Sequence, residues 1–251
     1  MGRGTWWLLV RHSGRFLASW QVTLSAVSRR ASELPKQQRD LFADRPCRQA
    51  GVVIEQEWNE RYAGSNQIWS GQPNQALVTE VSELPPGRAL DVGCGEGADA
   101  VWLAQRGWDV TGLDVSGVAL DRARPHARDA GVVVRWVRAG LVEARLPDRG
   151  FDLVSAQYPA LLHTPDHAAE RALLSAVAPG GTLLVVHHAM DVKHAQAHGF
   201  DPADYVSPAD VASLLDENWA LEIDEDRPRN VATGAGAHHT RDVVLRARRL
   251  R

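Results

Sequence analysis

A glycine-rich turn, Asp91-Val-Gly-Cys-Gly-Glu-Gly97, constrains the fold more than any other feature of this sequence. It follows the short apolar stretch Arg88–Val92 and leads into a segment with helical spacing of apolar residues. Glycines at such a point let the backbone turn sharply, and a ligand can lie against main-chain N–H groups because no Cβ stands in the way. A buried strand, a glycine turn and a helix in this order indicate a nucleoside-binding α/β domain.

Strand and helix patterns alternate from this turn to the end of the chain. The predicted strands are Arg88–Val92, Trp108–Leu113, Val132–Val137, Phe151–Ala156, Thr182–His187, Trp219–Asp224 and Arg241–Arg246. The predicted helices are Gly97–Arg106, Ser116–Ala130, Pro165–Ala178 and Pro208–Leu215, with one more starting at Trp58 and running into a loop before Gln72. The sequence therefore predicts a doubly wound α/β fold with a mostly parallel seven-stranded sheet and helices on both faces.

The first fifty residues differ in charge from the rest. They hold nine Arg and Lys against three Asp and Glu, whereas residues 51–251 hold nineteen against twenty-eight. We expect residues 1–51 to form a poorly ordered basic extension and residues 52–251 to form the folded domain. Since phosphate binding needs a basic surface, the acidic body argues against a nucleic-acid partner. No apolar run approaches the roughly 20 residues that span a bilayer. We therefore expect a cytoplasmic protein without a membrane partner, and the sequence predicts no oligomeric state.

Asp114 ends the second predicted strand, twenty-one positions after Gly93. A carboxylate there can accept hydrogen bonds from both hydroxyls of a ribose. The glycine turn also satisfies the loose dinucleotide fingerprint, so an NAD-dependent oxidoreductase is one interpretation. The acidic Asp91 before the glycines, the early third glycine and the strand–loop–strand ending favour S-adenosylmethionine (SAM) instead. A non-catalytic SAM-binding regulator is a further alternative.

The stretches Ala89–Gly97 and Val110–Ser116 resemble the class I SAM-dependent methyltransferases, which have a Rossmann-like fold. Two Trp-containing stretches, Trp58–Tyr62 and Trp69–Pro73, are similar to the segment that closes over SAM in the tellurite-resistance and thiopurine methyltransferase-like group. The resemblance covers roughly residues 57–248. It implies an enzyme that transfers a methyl group from SAM to an acceptor.

The resemblance also implies the roles of individual residues. The backbone at Gly93 and Gly95 would face the methionine part of SAM, and Asp114 would bind the ribose. Asp91 either contacts the cofactor or organises the turn. In the Trp-rich segment, the aromatic residues Trp58, Tyr62 and Trp69 are expected either to close over SAM or to pack as core residues. Arg61 would either pair with the SAM carboxylate or lie in solvent.

Adenine binding departs from the pattern of the resembling group. Val115 is expected to pack on the adenine, but the acidic residue that often follows the third strand is replaced here by Ala139-Gly140-Leu141. We therefore expect the adenine amino group to meet main-chain groups of Gly140 and Leu141, or the side chain of Glu143.

Histidine pairs lie at the end of the fifth predicted strand and just before the seventh. Ligands of open α/β sheets bind outside the carboxyl ends of the strands. If the seventh strand is antiparallel, both pairs reach that edge, and a neutral imidazole there could accept the acceptor's proton. Surface histidines on loops are the alternative. The candidate catalytic residues are His187, His188, His238 and His239, and the candidate substrate residues are Tyr158 and His163.

Two other patterns bear on metals and on the acceptor. His194 and His198 have the spacing of a helical metal pair, but the Glu of the HExxH arrangement and a third ligand are missing, so no metal site is expected. The stretch Ser155–Pro159 is not the Asn/Asp-Pro-Pro-Tyr signature of methyltransferases that act on nucleobases or glutamine. A small thiol, chalcogen oxyanion, amine or hydroxyl is therefore the expected acceptor.

Overall fold

A computed structural model of the chain describes residues 47–65, 67–189, 201–230 and 239–251. The chain divides into two compact units, one of residues 1–50 and 190–203 and the other of residues 51–189 and 204–251. The first unit is described only at residues 47–50 and 201–203. The second unit contains the sheet. The predicted basic extension lies outside the described residues except for its last few positions, and its poor order stays a prediction.

The second unit is built on one seven-stranded sheet with the order β3-β2-β1-β4-β5-β7-β6. The strands are β1 (Arg88–Val92), β2 (Asp109–Asp114), β3 (Arg135–Arg138), β4 (Phe151–Gln157), β5 (Val177–His188), β6 (Trp219–Pro228) and β7 (Arg241–Arg249). Strands β1 to β5 pair in parallel, and β7 is antiparallel to both β5 and β6. The predicted mostly parallel seven-stranded sheet is confirmed. The seventh strand is antiparallel, which is the condition on which the expected position of the histidine pairs depends.

The helices connect these strands. They are α1 (Cys47–Ala63), α2 (Gln75–Val81), α3 (Ala98–Gln105), α4 (Gly117–Asp129), α5 (Ala168–Ala176) and α6 (Pro208–Ala212), with a short 3₁₀ helix at Pro202–Asp204. The predicted domain boundary between residues 51 and 52 falls inside α1, and α2 was not predicted. None of the described helices is both long and apolar enough to cross a bilayer.

The connection between α5 and β5 differs from the prediction. The sequence predicts a helix to Ala178 and a turn at Pro179–Gly181, but α5 ends at Ala176 and β5 begins at Val177. Val177 pairs with Phe151, and the register then shifts so that Thr182 pairs with Leu153. The Pro-Gly-Gly stretch is therefore an irregularity within the strand, where proline and glycine are tolerated.

Alternating residues of the central strands fill two apolar clusters, one on each face of the sheet. On one face Leu183 and Val185 pack with residues of α5 and α6, and on the other Leu184 and Val186 pack with residues of α2 and α3. Such burial of a strand on both faces is typical of a central parallel strand. The rigid sheet fixes the carboxyl ends of β1, β2, β4 and β5 at one edge.

Candidate active site

The glycine turn after β1 has a backbone that requires glycine. Gly93, Gly95 and Gly97 have φ angles of +70°, +52° and +85°, a region that other residues adopt only with strain. Gly97 immediately precedes α3, and a Cβ there would lie 2.8 Å from Ala123 Cβ. The third glycine thus allows α3 and α4 to pack closely, while the first two shape the turn.

Gly93 and Gly95 differ in what lies above them. Gly93 is exposed, and a Cβ added to it would have Pro159 Cα, at 4.0 Å, as its nearest neighbour. At Gly95 a Cβ would lie 2.8 Å from Tyr62 Oη and 3.2 Å from Trp69 Nε1. Trp69 Nε1 donates a hydrogen bond of 2.9 Å to Tyr62 Oη. The Trp-rich segment therefore lies directly on the turn at Gly95, and Gly93 leaves space for a ligand.

Glu96, inside the glycine turn, holds this segment in place. Its buried carboxylate accepts hydrogen bonds from the backbone N–H groups of Ile68 and Trp69, at 3.3 and 3.1 Å. It also pairs with Arg122 at 2.9 Å, and Arg122 donates to the Tyr62 carbonyl at 2.5 Å. The sequence analysis missed Glu96, although a charged residue between two glycines of a buried turn was a signal for such a role.

Arg61 lies between two of the predicted lid aromatics. Its guanidinium carbon is 5.0 Å from the centre of the Trp58 ring and 5.8 Å from that of Trp69. These distances fit cation–π contacts. Burial lowers the pKa of Arg61. The structure thus brings Trp58, Arg61 and Trp69 together, and Trp69 lies on the glycine turn.

Asp91 lies buried at the base of the turn. Its Oδ2 atom has no hydrogen-bond partner within the described residues. Burial, together with the neighbouring carboxylates of Asp99 and Asp114, raises the pKa of Asp91 well above its ordinary value. A buried acceptor without a donor is costly. A ligand that carries an ammonium group, as the methionine part of SAM does, would supply that donor.

Asp114, the predicted ribose ligand, also fixes the turn. Its Oδ2 accepts from the Gly95 N–H at 2.8 Å, and its Oδ1 accepts from the Ser116 N–H at 2.7 Å. Burial raises the pKa of Asp114, and these two hydrogen bonds oppose the increase. Ser116 caps α4 as predicted, because its side chain accepts from the Ala119 N–H. We call Gly93–Gly97 with Asp91 and Asp114 the glycine cradle.

The residues expected at the adenine end lie after β2 and β3. A Cβ on Gly140 would overlap Glu143 Oε2 and lie 3.9 Å from Val115 Cγ1. The Glu143 carboxylate therefore lies beside Gly140 and near Val115, as required for the suggested adenine contact. The Leu141 side chain is instead buried in an apolar cluster of the sheet, so only its main chain could meet a ligand.

Tyr158, His188 and His239 form a stack at the carboxyl edge of the sheet. The ring of His188 lies 4.1 Å from that of Tyr158 and 4.0 Å from that of His239. They follow β4, end β5 and precede β7, respectively. The topology that the sequence analysis required is thus present.

Asp242 connects the members of this stack, and the sequence analysis missed it. Its carboxylate lies 2.8 Å from Tyr158 Oη, 3.3 Å from His188 Nδ1 and 3.5 Å from Arg229 Nε. Burial and Asp242 raise the pKa of Tyr158. We call Tyr158, His188, Arg229, His239 and Asp242 the histidine cluster. Asp242 and Arg229 belong to this cluster because of the order of the strands in the sheet, and no local sequence motif predicts their position.

The other predicted histidines are placed differently. His187 is adjacent to His188 in β5, so its side chain is on the opposite face of the strand. Burial, with a contribution from His188, lowers the pKa of His187 to about 4. His163 lies beside Glu170, with Nδ1 3.0 Å from Oε1. His238 lies outside the described residues.

Comparisons with known proteins agree with this geometry. Residues 89–181 match the family model of a methyltransferase domain. An uncharacterised methyltransferase of Mycobacterium tuberculosis is 39% identical over 123 residues, which are 48% of this chain and 61% of that protein. The ubiquinone biosynthesis O-methyltransferase of Hahella chejuensis is 38% identical over 109 residues, 43% of this chain and 45% of that protein. The chain thus spans about half the length of these relatives.

Solved structures resemble a larger part of the chain than the sequence relatives do. One, from work on the conversion of a disulfide bond into a thioacetal group during echinomycin biosynthesis, has a TM-score of 0.63 at 25% identity and covers 78% of this chain and 92% of its own. The N-methyltransferase NodS of Bradyrhizobium japonicum, solved with S-adenosylhomocysteine, has a TM-score of 0.55 at 20% identity, covering 70% and 85%. The fold is that of a class I methyltransferase.

The match of residues 89–181 to a methyltransferase domain and the likeness to a structure solved with S-adenosylhomocysteine support SAM as the cofactor. The NAD interpretation is not favoured, because an antiparallel β7 lies between β5 and β6, whereas the dinucleotide fold builds two parallel mononucleotide-binding halves. The likeness to the tellurite-resistance and thiopurine group stays a prediction.

Proposed function

We propose that the chain is a SAM-dependent methyltransferase that acts on the hydroxyl or thiol of a small molecule. The observation that carries this proposal is the contact of His188 with Asp242, at 3.3 Å, at the edge where such folds bind ligands. An acceptor that keeps its proton at neutral pH needs a base, and the histidine cluster supplies one. Amines and chalcogen oxyanions are the remaining acceptor classes.

The glycine cradle would hold the cofactor. Gly93 would approach its methionine part, Asp91 its ammonium group, Asp114 the ribose hydroxyls, and Val115 with Glu143 the adenine. Gly95, expected from the sequence to face the methionine part, would instead shape the turn beneath Tyr62 and Trp69. Trp58, Arg61 and Trp69 would cover it. When bound, SAM supplies a methyl group already activated by the sulfonium, so the protein's part is alignment, exclusion of water and handling of the acceptor's proton.

The His188 imidazole would take this proton from the acceptor oxygen or sulfur. The Asp242 carboxylate would stabilise the resulting imidazolium, and stacking on Tyr158 and His239 would keep the ring in position. Arg229, whose Nε lies 3.2 Å from Tyr158 Oη, would hold the tyrosine. His187 cannot share this role on the same face, and its low pKa keeps it uncharged at neutral pH.

Methyl transfer from labelled SAM to a panel of phenols, thiols, primary amines and tellurite tests the proposal. We expect labelling of a phenol or a thiol, and a large loss of that labelling in His188→Gln. Labelling of amines alone would contradict the assigned acceptor class. SAM binding without transfer to any member of the panel would instead support the non-catalytic regulator. In either case we expect the active chain to be cytoplasmic and to act on small molecules rather than nucleic acid.

A further inference from the structure

Three side chains of metal-ligating type meet where β4 connects to α5. His163 Nδ1 lies 3.0 Å and His167 Nδ1 lies 3.2 Å from Glu170 Oε1. All three ligand atoms are within 4.8 Å of one another. In a tetrahedral zinc site, ligand atoms about 2.0–2.2 Å from the ion are roughly 3.3 Å apart. The spacing observed at Glu170 is therefore already close to that of a metal centre.

The Glu170 carboxylate gives a second, independent observation. Its side chain is fully buried, and its Oε2 atom has no hydrogen-bond partner among the described residues. Two imidazole N–H groups can account for Oε1, but they leave Oε2 unsatisfied on a side chain that is not exposed to bulk solvent. A bound cation would satisfy it, either by bidentate coordination or through a water molecule that the cation holds.

The two histidines leave a path for an ion. Both side chains are 33% exposed, while that of Glu170 is 0% exposed. An ion entering from solvent can thus reach all three ligands, and water can fill its remaining positions. The Asp210 carboxylate, which accepts hydrogen bonds from the Ser207 backbone N–H and hydroxyl, lies near both histidines and adds negative charge.

We propose that His163, His167 and Glu170 bind one divalent transition-metal ion. Two imidazoles and one carboxylate are a ligand set that suits Zn²⁺ and excludes neither Co²⁺ nor Ni²⁺, whereas Mg²⁺ and Ca²⁺ prefer oxygen alone. The ion would join the loop after β4 to the first turn of α5, beside the acceptor edge of the sheet. The proposal departs from the sequence-based expectation of no metal site, which considered only His194 and His198 and placed His163 at the substrate.

Titration of the chelator-stripped full chain with Zn²⁺ and with Co²⁺ tests the site. We expect one ion per chain and, with Co²⁺, the intense visible absorption of a site with four or five ligands. His163→Ala, at an exposed position, and Glu170→Gln should each weaken binding at least tenfold. The double variant His194→Gln/His198→Gln is the matched control and should bind as the parent does.

Two outcomes would overturn the proposal: a parent chain that binds no ion at micromolar Zn²⁺, or binding that His163→Ala leaves unchanged while the His194/His198 control loses it. A crystal soaked in Zn²⁺ gives a readout that needs no variant, because the anomalous signal must lie among the three ligand atoms. The site does not depend on the proposed methyl transfer. Asp114→Ala should leave ion binding unchanged even if it weakens SAM binding.

Discussion

The glycine cradle and the histidine cluster lie at the same edge of one sheet, but they are assembled from different lengths of sequence. The cradle joins Gly95 to Asp114, nineteen positions apart in a direct hydrogen bond. The cluster joins Tyr158 to Asp242, eighty-four positions apart. The first is therefore a local motif, and the second exists only because the antiparallel β7 returns to β5. A change in one region should affect cofactor binding, and a change in the other should affect turnover.

Gly95→Val should have the largest effect. It places a branched side chain at a φ of +52° and within 2.8 Å of Tyr62 Oη, so we expect SAM binding to fall at least a hundredfold. Calorimetric titration with SAM measures this. Gly131→Val is the matched control, since Gly131 has a φ of +68° with nothing within 4 Å of an added Cβ. Equal losses in both variants would mean that backbone strain alone is responsible.

His188→Gln and Asp242→Asn should lower kcat by about 10²–10⁴, the usual contribution of a general base. SAM affinity should change less than threefold, because neither residue belongs to the cradle. Asp242→Asn should also lower the melting temperature, since Asp242 pairs with Arg229 and Tyr158. Asp129→Asn, a change at an exposed carboxylate outside both regions, serves as the control. If SAM binding and turnover fell together, the histidine cluster and the glycine cradle would have to act as one site.

Asp114→Ala should weaken SAM binding by about 2–4 kcal/mol, through lost hydrogen bonds to a charged acceptor. Part of that loss arises from the turn itself, because the Gly95 and Ser116 N–H groups lose their acceptor. Asp114→Asn keeps one acceptor oxygen, so its SAM affinity should lie between that of the parent and that of Asp114→Ala. An Asp114→Ala chain that is folded and binds SAM as the parent does would remove Asp114 from the site.

The stability of the fold should fall as the pH is lowered from about 6.5 to about 4 because of His187. Its pKa is about 4 in the fold against an ordinary 6.5, so in this window the unfolded chain binds more protons than the folded one. The loss reaches roughly 3 kcal/mol at the acid end. Denaturant unfolding at several pH values measures it, with His187→Asn as the reference. An equal slope in that variant would assign the effect to other groups.

Glu96→Gln should have the smallest effect of the five, a weakening of SAM binding of about 1–2 kcal/mol. The variant loses the charge partner of Arg122 and weakens the hold on Ile68 and Trp69. Glu217→Gln, at an exposed position outside the cradle, is the matched control. Faster quenching of Trp fluorescence in Glu96→Gln than in the control would show that the Trp-rich segment has loosened.

The sequence predicted the glycine cradle better than the histidine cluster. The strand at Arg88–Val92, the glycine turn and Asp114 were predictable because each depends on neighbours close in sequence. Asp242 was missed because its role depends on pairing between β5 and β7, which no local pattern records. The prediction for the α5–β5 connection was wrong. Pro179-Gly-Gly predicts a turn, whereas β5 already begins at Val177, which pairs with Phe151.

The three proposed metal ligands are intermediate between a local motif and a group of residues that strand pairing brings together. His163, His167 and Glu170 are close in sequence, and their spacing was visible, but nothing local showed that Glu170 would be buried with Oε2 unpartnered. Burial of a carboxylate is a property of packing on the sheet. The sequence pattern alone is common on exposed helix starts.

SAM affinity measured side by side for the parent, Gly95→Val and His188→Gln tests most directly whether cofactor binding and acceptor chemistry reside in separate groups of residues. Calorimetry on chains of matched melting behaviour is sufficient and needs no knowledge of the acceptor. We predict binding in the parent and in His188→Gln, with affinities within threefold of each other, and no measurable binding in Gly95→Val. Binding that is retained in Gly95→Val, or lost in His188→Gln, would contradict the account.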